Sequence, residues 1–175
     1  MVNGTRADAI TVPAADGKMR FWRNTSIANL SPGQTAPLPT GTLGYEWDED
    51  VDNGFRPSGL IRMSDTIVNL PAGYYLQDYG STYGAGTANH ALTLYRHVNG
   101  ALVFGAGTVQ WSWGLDAVHD GTATPTRLEM QQATVNLFAD MGVQPATLGA
   151  GLTTAAPSTD TVAPTSAITS PANGG

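Results

Sequence analysis

The chain has 175 residues, room for one ordinary domain plus a tail, with a net charge of −6 and no cysteine. The acidic balance and scattered basic residues exclude a nucleic-acid footprint, and no apolar run reaches the roughly 20 residues of a membrane helix. Without cysteine there are no disulfides, thiolate ligands or cysteine nucleophile. Abundant glycine (21) and proline (11) favour turns over long helices. Residues 1–5 lack the basic stretch and apolar core of a signal peptide, and the chain reads as beginning in mid-module.

Between residues 9 and 150 the pattern predicts short strands punctuated by turns. Asp16-Gly17 separates an expected strand at 9–13 from another at 19–22. The run 43–47 reads as a short apolar-aromatic strand that ends in carboxylates. Next comes the acidic run Asp48-Glu49-Asp50-Val51-Asp52-Asn53-Gly54. Its alternating carboxylates resemble a calcium loop, but the sixth position is Asn53 and the twelfth Gly59, where glycine and glutamate are needed, so a solvated acidic turn is expected. Tyr74, Tyr75, Tyr79 and Tyr83 lie in a glycine-rich stretch that suits a binding loop or an aromatic cover on a sheet. Asn99-Gly100 predicts a hairpin joining 91–95 to 101–104, both central residues tolerating positive φ.

One helix is predicted over about 126–141. Thr126 and Glu129 have capping-box spacing, Met130, Ala133, Leu137, Phe138 and Met141 share a face, and Gly142 supplies a left-handed stop. Residues 1–152 are assigned to the domain. Residues 153–175, rich in Pro, Thr, Ser and Ala, read as a disordered linker. Its end, 168–174, resembles the opening of a bacterial immunoglobulin-like repeat, which implies a secreted, multi-module parent protein.

Glu46 stands apart from its acidic neighbours because Tyr45 and Trp47 flank it at the end of an apolar strand. It is either a partly desolvated site carboxylate or an exposed strand-end residue. Trp111 and Trp113 alternate around Ser112 after a Gly-rich turn (Gly105, Gly107). They suit a sugar-stacking platform or, as large aromatics often do, core packing. The turn lacks the pattern of a nucleotide loop, and Ser112 lacks the glycines of a nucleophile elbow. His90, His97 and His119 show no metal-ligand spacing and read as surface or turn residues. A triad of Ser112, His119 and Asp116 can be drawn, but no spacing selects it.

Several motifs recur together in one order: Phe21-Trp22-Arg23-Asn24-Thr25, Gly44-Tyr45-Glu46-Trp47-Asp48, Leu94-Tyr95-Arg96, the segment 100–116 and the segment 130–142. The set resembles the C-terminal domain of the N,N-dimethylformamidase large (beta) subunit-like family. That resemblance implies an α/β fold, the C-terminal part of a class I glutamine amidotransferase-like (flavodoxin-like) module, strand-rich with the one helix. It also implies amide hydrolysis at a mononuclear iron held by two tyrosines and one glutamate, where the metal polarises a carbonyl and activates water. On that basis Glu46 is the metal-ligand candidate, with Tyr45, Asp48, Trp111 and Trp113 as outer-shell or substrate contacts. The tyrosine ligands and the central parallel strands would lie in a preceding segment. The chain alone is then expected to be inactive and to bury its core poorly. Its expected partners are that segment and flanking immunoglobulin-like modules, and its ligand a small amide. The competing readings are a carbohydrate-binding module, using Tyr74–Tyr83 and Trp111–Trp113 on polysaccharide, and a structural spacer.

Overall fold

The computed structural model of the protein describes residues 6–78, 80–121, 124–160, 162 and 165–167. The opening residues 1–5, Tyr79 and the immunoglobulin-like ending at 168–174 lie outside the described residues. Seven strands and two α-helices are present: β1 (Thr11–Pro13), α1 (Ala14–Gly17), β2 (Thr35–Pro37), β3 (Ile61–Arg62), β4 (Thr66–Leu76), β5 (Tyr83–His90), β6 (Thr93–Arg96), β7 (Leu102–Gly105) and α2 (Leu128–Asp140). Three single-turn 3-10 helices occupy Arg20–Trp22, Ser26–Asn29 and Trp111–Gly114. The chain is thus strand-rich with one substantial helix near its C-terminal end. Every strand pair among the described residues is antiparallel: β1 with β2, β4 with β5, and β6 between β3 and β7.

Local chemistry explains where the predicted elements moved. The expected strand at 19–22 is instead a 3-10 turn, because Trp22 N–H closes onto Met19 O at 2.9 Å. The β6–β7 hairpin forms as expected, but only Gly100 takes a positive φ (+90°). A turn closed by Gly100 N–H on His97 O, at 2.8 Å, precedes it. The result is a three-residue loop ending in a left-handed glycine, not a two-residue turn. The longest ribbon, β4–β5, lies under the tyrosine-rich stretch. Its register slips between Leu70 and Tyr75, where the strand bulges.

Helix α2 starts at Leu128 with Arg127 as its cap residue and no side-chain capping bond, so the Thr126–Glu129 capping box is not formed. Glu129 instead accepts the Ser26 hydroxyl at 2.6 Å and pairs with Arg127 at 2.7 Å. At the other end Gly142 N–H bonds Ala139 O and Val143 N–H bonds Phe138 O. With Gly142 at φ +82° this is a Schellman stop, as the glycine predicts. The buried face is rotated from the expected one. Met130, Ala133 and Leu137 enter the main core, but Phe138 and Met141 are exposed. Gln132 and Asn136 are buried in their place, because both amides serve main-chain groups. Asn136 Nδ2 donates to Phe21 O (2.8 Å) and Arg23 O (2.6 Å), and Gln132 accepts from Thr153 N–H (2.7 Å) while donating to Thr153 O (2.9 Å).

The core is one continuous cluster around Ile10, Trp22, Ile27, Leu43, Trp47, Met63, Leu92 and Met130, so the chain encloses an apolar interior of its own. Trp22 is fully buried, donates Nε1–H to Met63 O at 2.7 Å and meets Phe21 edge-to-face. Arg20 and Arg23 share the Asp140 carboxylate and donate to Ala156 O. Burial of Ala155 against Val135 and Ala139 completes this clasp, so the chain is fastened to the domain as far as Ala156. The described residues beyond it form no helix or strand. None of the described helices is long and apolar enough to cross a membrane.

Candidate functional site

The Gly44–Asp48 motif is not a continuous strand. It is a bent segment anchored by single antiparallel bridges, Asp8 with Leu43 just before it and Trp47 with Thr108 within it. Along it, Val109 N–H bonds Glu46 O (3.2 Å) and Asp48 N–H bonds Gly107 O (2.7 Å). Gly44 N–H is held by the Thr108 hydroxyl at 3.1 Å. Glycine is required at 44, because a Cβ there would overlap the side-chain amide of Gln110. Between the two segments lies a cleft of about 330 Å³, lined by Glu46, Trp47, Asp48, Ala106, Gly107, Thr108 and Val109.

The motif bends at Tyr45 and Glu46, so its side chains do not alternate as in a strand. Trp47 goes into the core, Tyr45 and Asp48 are exposed, and Glu46 is half-buried at the cleft wall. Glu46 is therefore a partly desolvated carboxylate facing a concavity.

Behind the cleft stands His90, whose sequence context suggested a surface or turn residue. It is fully buried instead, because it ends β5 on the same inward-facing parity as Ala88. Its ring meets Trp47 edge-to-face at 5.9 Å, and its Nε2 lies 2.8 Å from Ala106 O. Since a carbonyl only accepts, Nε2 carries the proton and Nδ1 is bare. A Cβ on Gly107 would stand 3.0 Å from His90 Nε2, so the close approach of the turn to the ring depends on that glycine. Burial pushes the His90 pKa down, against the opposing pulls of the Ala106 carbonyl, Asp48 and Asp50. Four buried polar atoms on the segments around the cleft have no hydrogen-bond partner: Trp47 Nε1, Asn89 Oδ1, His90 Nδ1 and Gln110 Oε1.

The buried imidazole makes stability pH-dependent. A neutral His90 in the fold and an ordinary histidine (pKa about 6.5) in the unfolded chain mean that protons bind the unfolded state first on acidification. Stability contributed by the neutral ring is thus intact above about pH 6.5 and is lost as pH falls through that value toward the folded pKa. His90→Gln, which keeps a donor near Ala106 O, should flatten this part of the profile in urea melts between about pH 7.5 and about pH 5. An unchanged acid slope in the variant would place the titrating group elsewhere.

The acidic run is a solvated turn only in part, exposed at Asp48 and from Val51 to Gly54 but engaged at Glu49 and Asp50. Asp50 accepts Arg56 at 2.8 Å and Arg62 at 2.5 Å, and Glu49 accepts the Tyr75 hydroxyl at 2.7 Å. The Glu49 bond and desolvation raise the Tyr75 pKa. Asp52 and Asn53 are exposed. The Asp50 and Glu49 carboxylates thus act as struts between the motif, β3 and the β4–β5 ribbon. Tyr75 serves that scaffold, and Tyr74 packs against the core, so both cover the sheet.

Trp111 stands in a cluster with Phe21 and Phe104, at ring distances of 6.2 and 5.7 Å. Trp113, half-buried, stacks face-on against His119 at 4.3 Å. Ser112, Asp116 and His119 do not assemble as a triad. Both ring nitrogens of His119 face main-chain oxygens, of Asp120 and Thr124, and Asp116 accepts Val118 N–H. Neither His90 nor Gln110 was singled out as a site residue from the sequence. The inward parity of Ala88 and His90 is a usable signal for the first, whereas nothing local marks Gln110.

Among the described residues no group of three or more His, Asp or Glu side chains is arranged to hold a metal ion. Glu46 offers one anionic oxygen ligand, with Asp48 beside it in the cleft. That is an incomplete donor set, and no reaction step through iron is derived for this chain.

No curated protein and no solved structure matches the chain. The family described as N,N-dimethylformamidase beta subunit-like, C-terminal, matches residues 1–125, a span that holds the Gly44–Asp48 motif, His90 and the Gly107 turn. Helix α2 and the Ala156 clasp lie beyond the matched span. With well over half of its length matched, the chain belongs to the N,N-dimethylformamidase beta subunit-like C-terminal family.

Proposed function

We propose that the chain is the C-terminal part of an amidohydrolase-like domain that hydrolyses the C–N bond of a small amide, and that it is inactive alone. In this reading Glu46 is the carboxylate ligand of a mononuclear iron, and Tyr45 and Asp48 flank the substrate. The tyrosine ligands come from polypeptide that precedes Arg6. The observation that carries the reading is the cleft itself, with part-buried Glu46 on its wall at a concave, family-matched motif.

Topology supports the completion of that site by preceding chain. Asp8 is hydrogen-bonded on both sides of its peptide to Leu43, at 2.8 and 3.2 Å. Polypeptide entering at Arg6 therefore arrives directly beside Gly44–Asp48. Tyr45 and Val109, each about half exposed, leave an apolar rim for it to cover. The same preceding chain would bring the parallel strands of a class I glutamine amidotransferase-like fold. The parent protein is read as secreted and multi-modular, with an immunoglobulin-like module following residue 168. Of the aromatics in the carbohydrate-binding reading, Trp111 is engaged by Phe21 and Phe104 and Trp113 is stacked on His119, while Tyr83 is exposed.

Metal analysis of protein that includes the preceding polypeptide tests the proposal. Near-stoichiometric iron should be lost in Glu46→Ala while thermal unfolding of the metal-free proteins stays the same, because Glu46 makes no side-chain bond that the fold needs. Iron retained in full by Glu46→Ala would remove Glu46 from the ligand set. A metal-free protein that is retarded on polysaccharide-containing gels, with retardation lost in Trp113→Ala, would favour the carbohydrate reading.

A further inference from the structure

We propose that Asn53–Gly54, on the loop that follows the cleft motif, is a site of spontaneous covalent modification, in which the side-chain amide is converted to aspartate and isoaspartate. Glycine after asparagine leaves the next main-chain nitrogen open to the side-chain carbonyl carbon, and Gly54 has no neighbour within 4 Å of where a Cβ would stand. Gly54 N attacks Asn53 Cγ, the new C–N bond closes a five-membered imide, and the Cγ–Nδ2 bond breaks. The proton from Gly54 N leaves with the nitrogen as ammonia. Water then opens the imide at either carbonyl, giving aspartate or the backbone-lengthened isoaspartate.

The fold selects this site over the second described Asn-Gly pair. Asn53 and Asn99 are both exposed, and both side-chain carbonyls accept a main-chain N–H two residues on, from Phe55 at 3.0 Å and Ala101 at 3.1 Å. The difference lies in the attacking nitrogen. Gly100 N–H is held by His97 O at 2.8 Å inside a hairpin that His97 N–H also closes on Ala101 O at 2.8 Å. Attack at Asn99 must open that hairpin. Gly54 N–H is held only by the side chain of exposed Asp52, at 3.1 Å, which a rotation about its own bonds releases. The loop also tolerates the product. Asp50 pairs with Arg62 as well as Arg56, so lengthening the backbone between 50 and 56 leaves one of its two ion pairs in place.

Peptide mapping of the whole chain after incubation in isotope-labelled water at neutral pH reads both sites. Trypsin places Asn53 in residues 24–62 and Asn99 in residues 97–127, and separates both from Asn3 and Asn173. The 24–62 peptide should acquire label and isoaspartate about tenfold faster than the 97–127 peptide, the factor that two ordinary hydrogen bonds account for. In urea the two rates should converge, since the hairpin is gone. Gly54→Ala should slow the reaction at Asn53 without altering Asn99. Equal rates in the folded chain, a faster Asn99, or a difference that survives unfolding would each overturn the proposal.

Discussion

Trp22→Ala is expected to lower the unfolding free energy by about 3–5 kcal/mol, the usual cost of truncating a buried tryptophan. The indole is fully buried at the centre of the continuous core. It is also the joint between two parts of the chain, since its Nε1–H donates to Met63 O just before β4 begins. Alanine leaves both a cavity and an unpartnered carbonyl. A domain of this size has about 5–15 kcal/mol in hand, so at least about a fifth of its stability goes. Urea unfolding followed by circular dichroism should show a lower midpoint with an unchanged slope. Trp22→Phe should fall between the two, because it refills much of the space and restores no donor. A loss under about 1 kcal/mol in Trp22→Ala would mean that the core is arranged differently around this residue.

Asn136→Leu should cost about 2–4 kcal/mol although it places a larger apolar group on a buried helix face. The side chain is fully buried and satisfies Phe21 O and Arg23 O, while its own oxygen accepts from Gln132 Nε2 at 3.0 Å. Leucine leaves the buried Phe21 O and the part-buried Arg23 O without this donor and removes one of two acceptors of the Gln132 amide, which keeps its bonds to Thr153, so the apolar gain is outweighed. Asn136→Asp separates donor chemistry from shape. An ionised carboxylate would face two carbonyl oxygens, so the variant should be weakest at neutral pH and recover on acidification, as protonation restores one donor. Denaturation midpoints at two pH values check this. A leucine variant as stable as wild type would remove these bonds from the account of how α2 is held.

This second case also shows where residue patterns stop being informative. Apolar periodicity placed Phe138 and Met141 on the inner face of the helix, and both are exposed. Asn136 and Gln132 look like solvent-side residues in any hydropathy pattern. They are inside because the 3-10 turn at Arg20–Trp22 and the segment at Thr153 present main-chain groups that need partners. Periodicity counts apolar area, and the helix orientation here was decided by hydrogen bonds to segments more than a hundred residues or about twenty residues away. The acidic run behaves in the same way. Its composition suggests water on all sides, yet Asp50 is held between Arg56 and Arg62, an arrangement that no local rule encodes.

The candidate site divides along the same line. The Gly44–Asp48 motif, the left-handed stop at Gly142, the hairpin at Asn99-Gly100 and the family itself were all legible in the sequence. Each follows from a residue's own conformational freedom or from a run of neighbours. Tertiary structure alone decided that Glu46 and Asp48 line a cleft while Tyr45 stays outside its lining, and that His90 stands buried behind Trp47. It also decided that Trp111 belongs to a Phe21–Phe104 cluster and not to an open platform. These outcomes depend on which distant segment covers which face. Antiparallel bridges at Asp8–Leu43 and Trp47–Thr108 fix that choice, and they join residues that the sequence keeps some 35 and 61 positions apart.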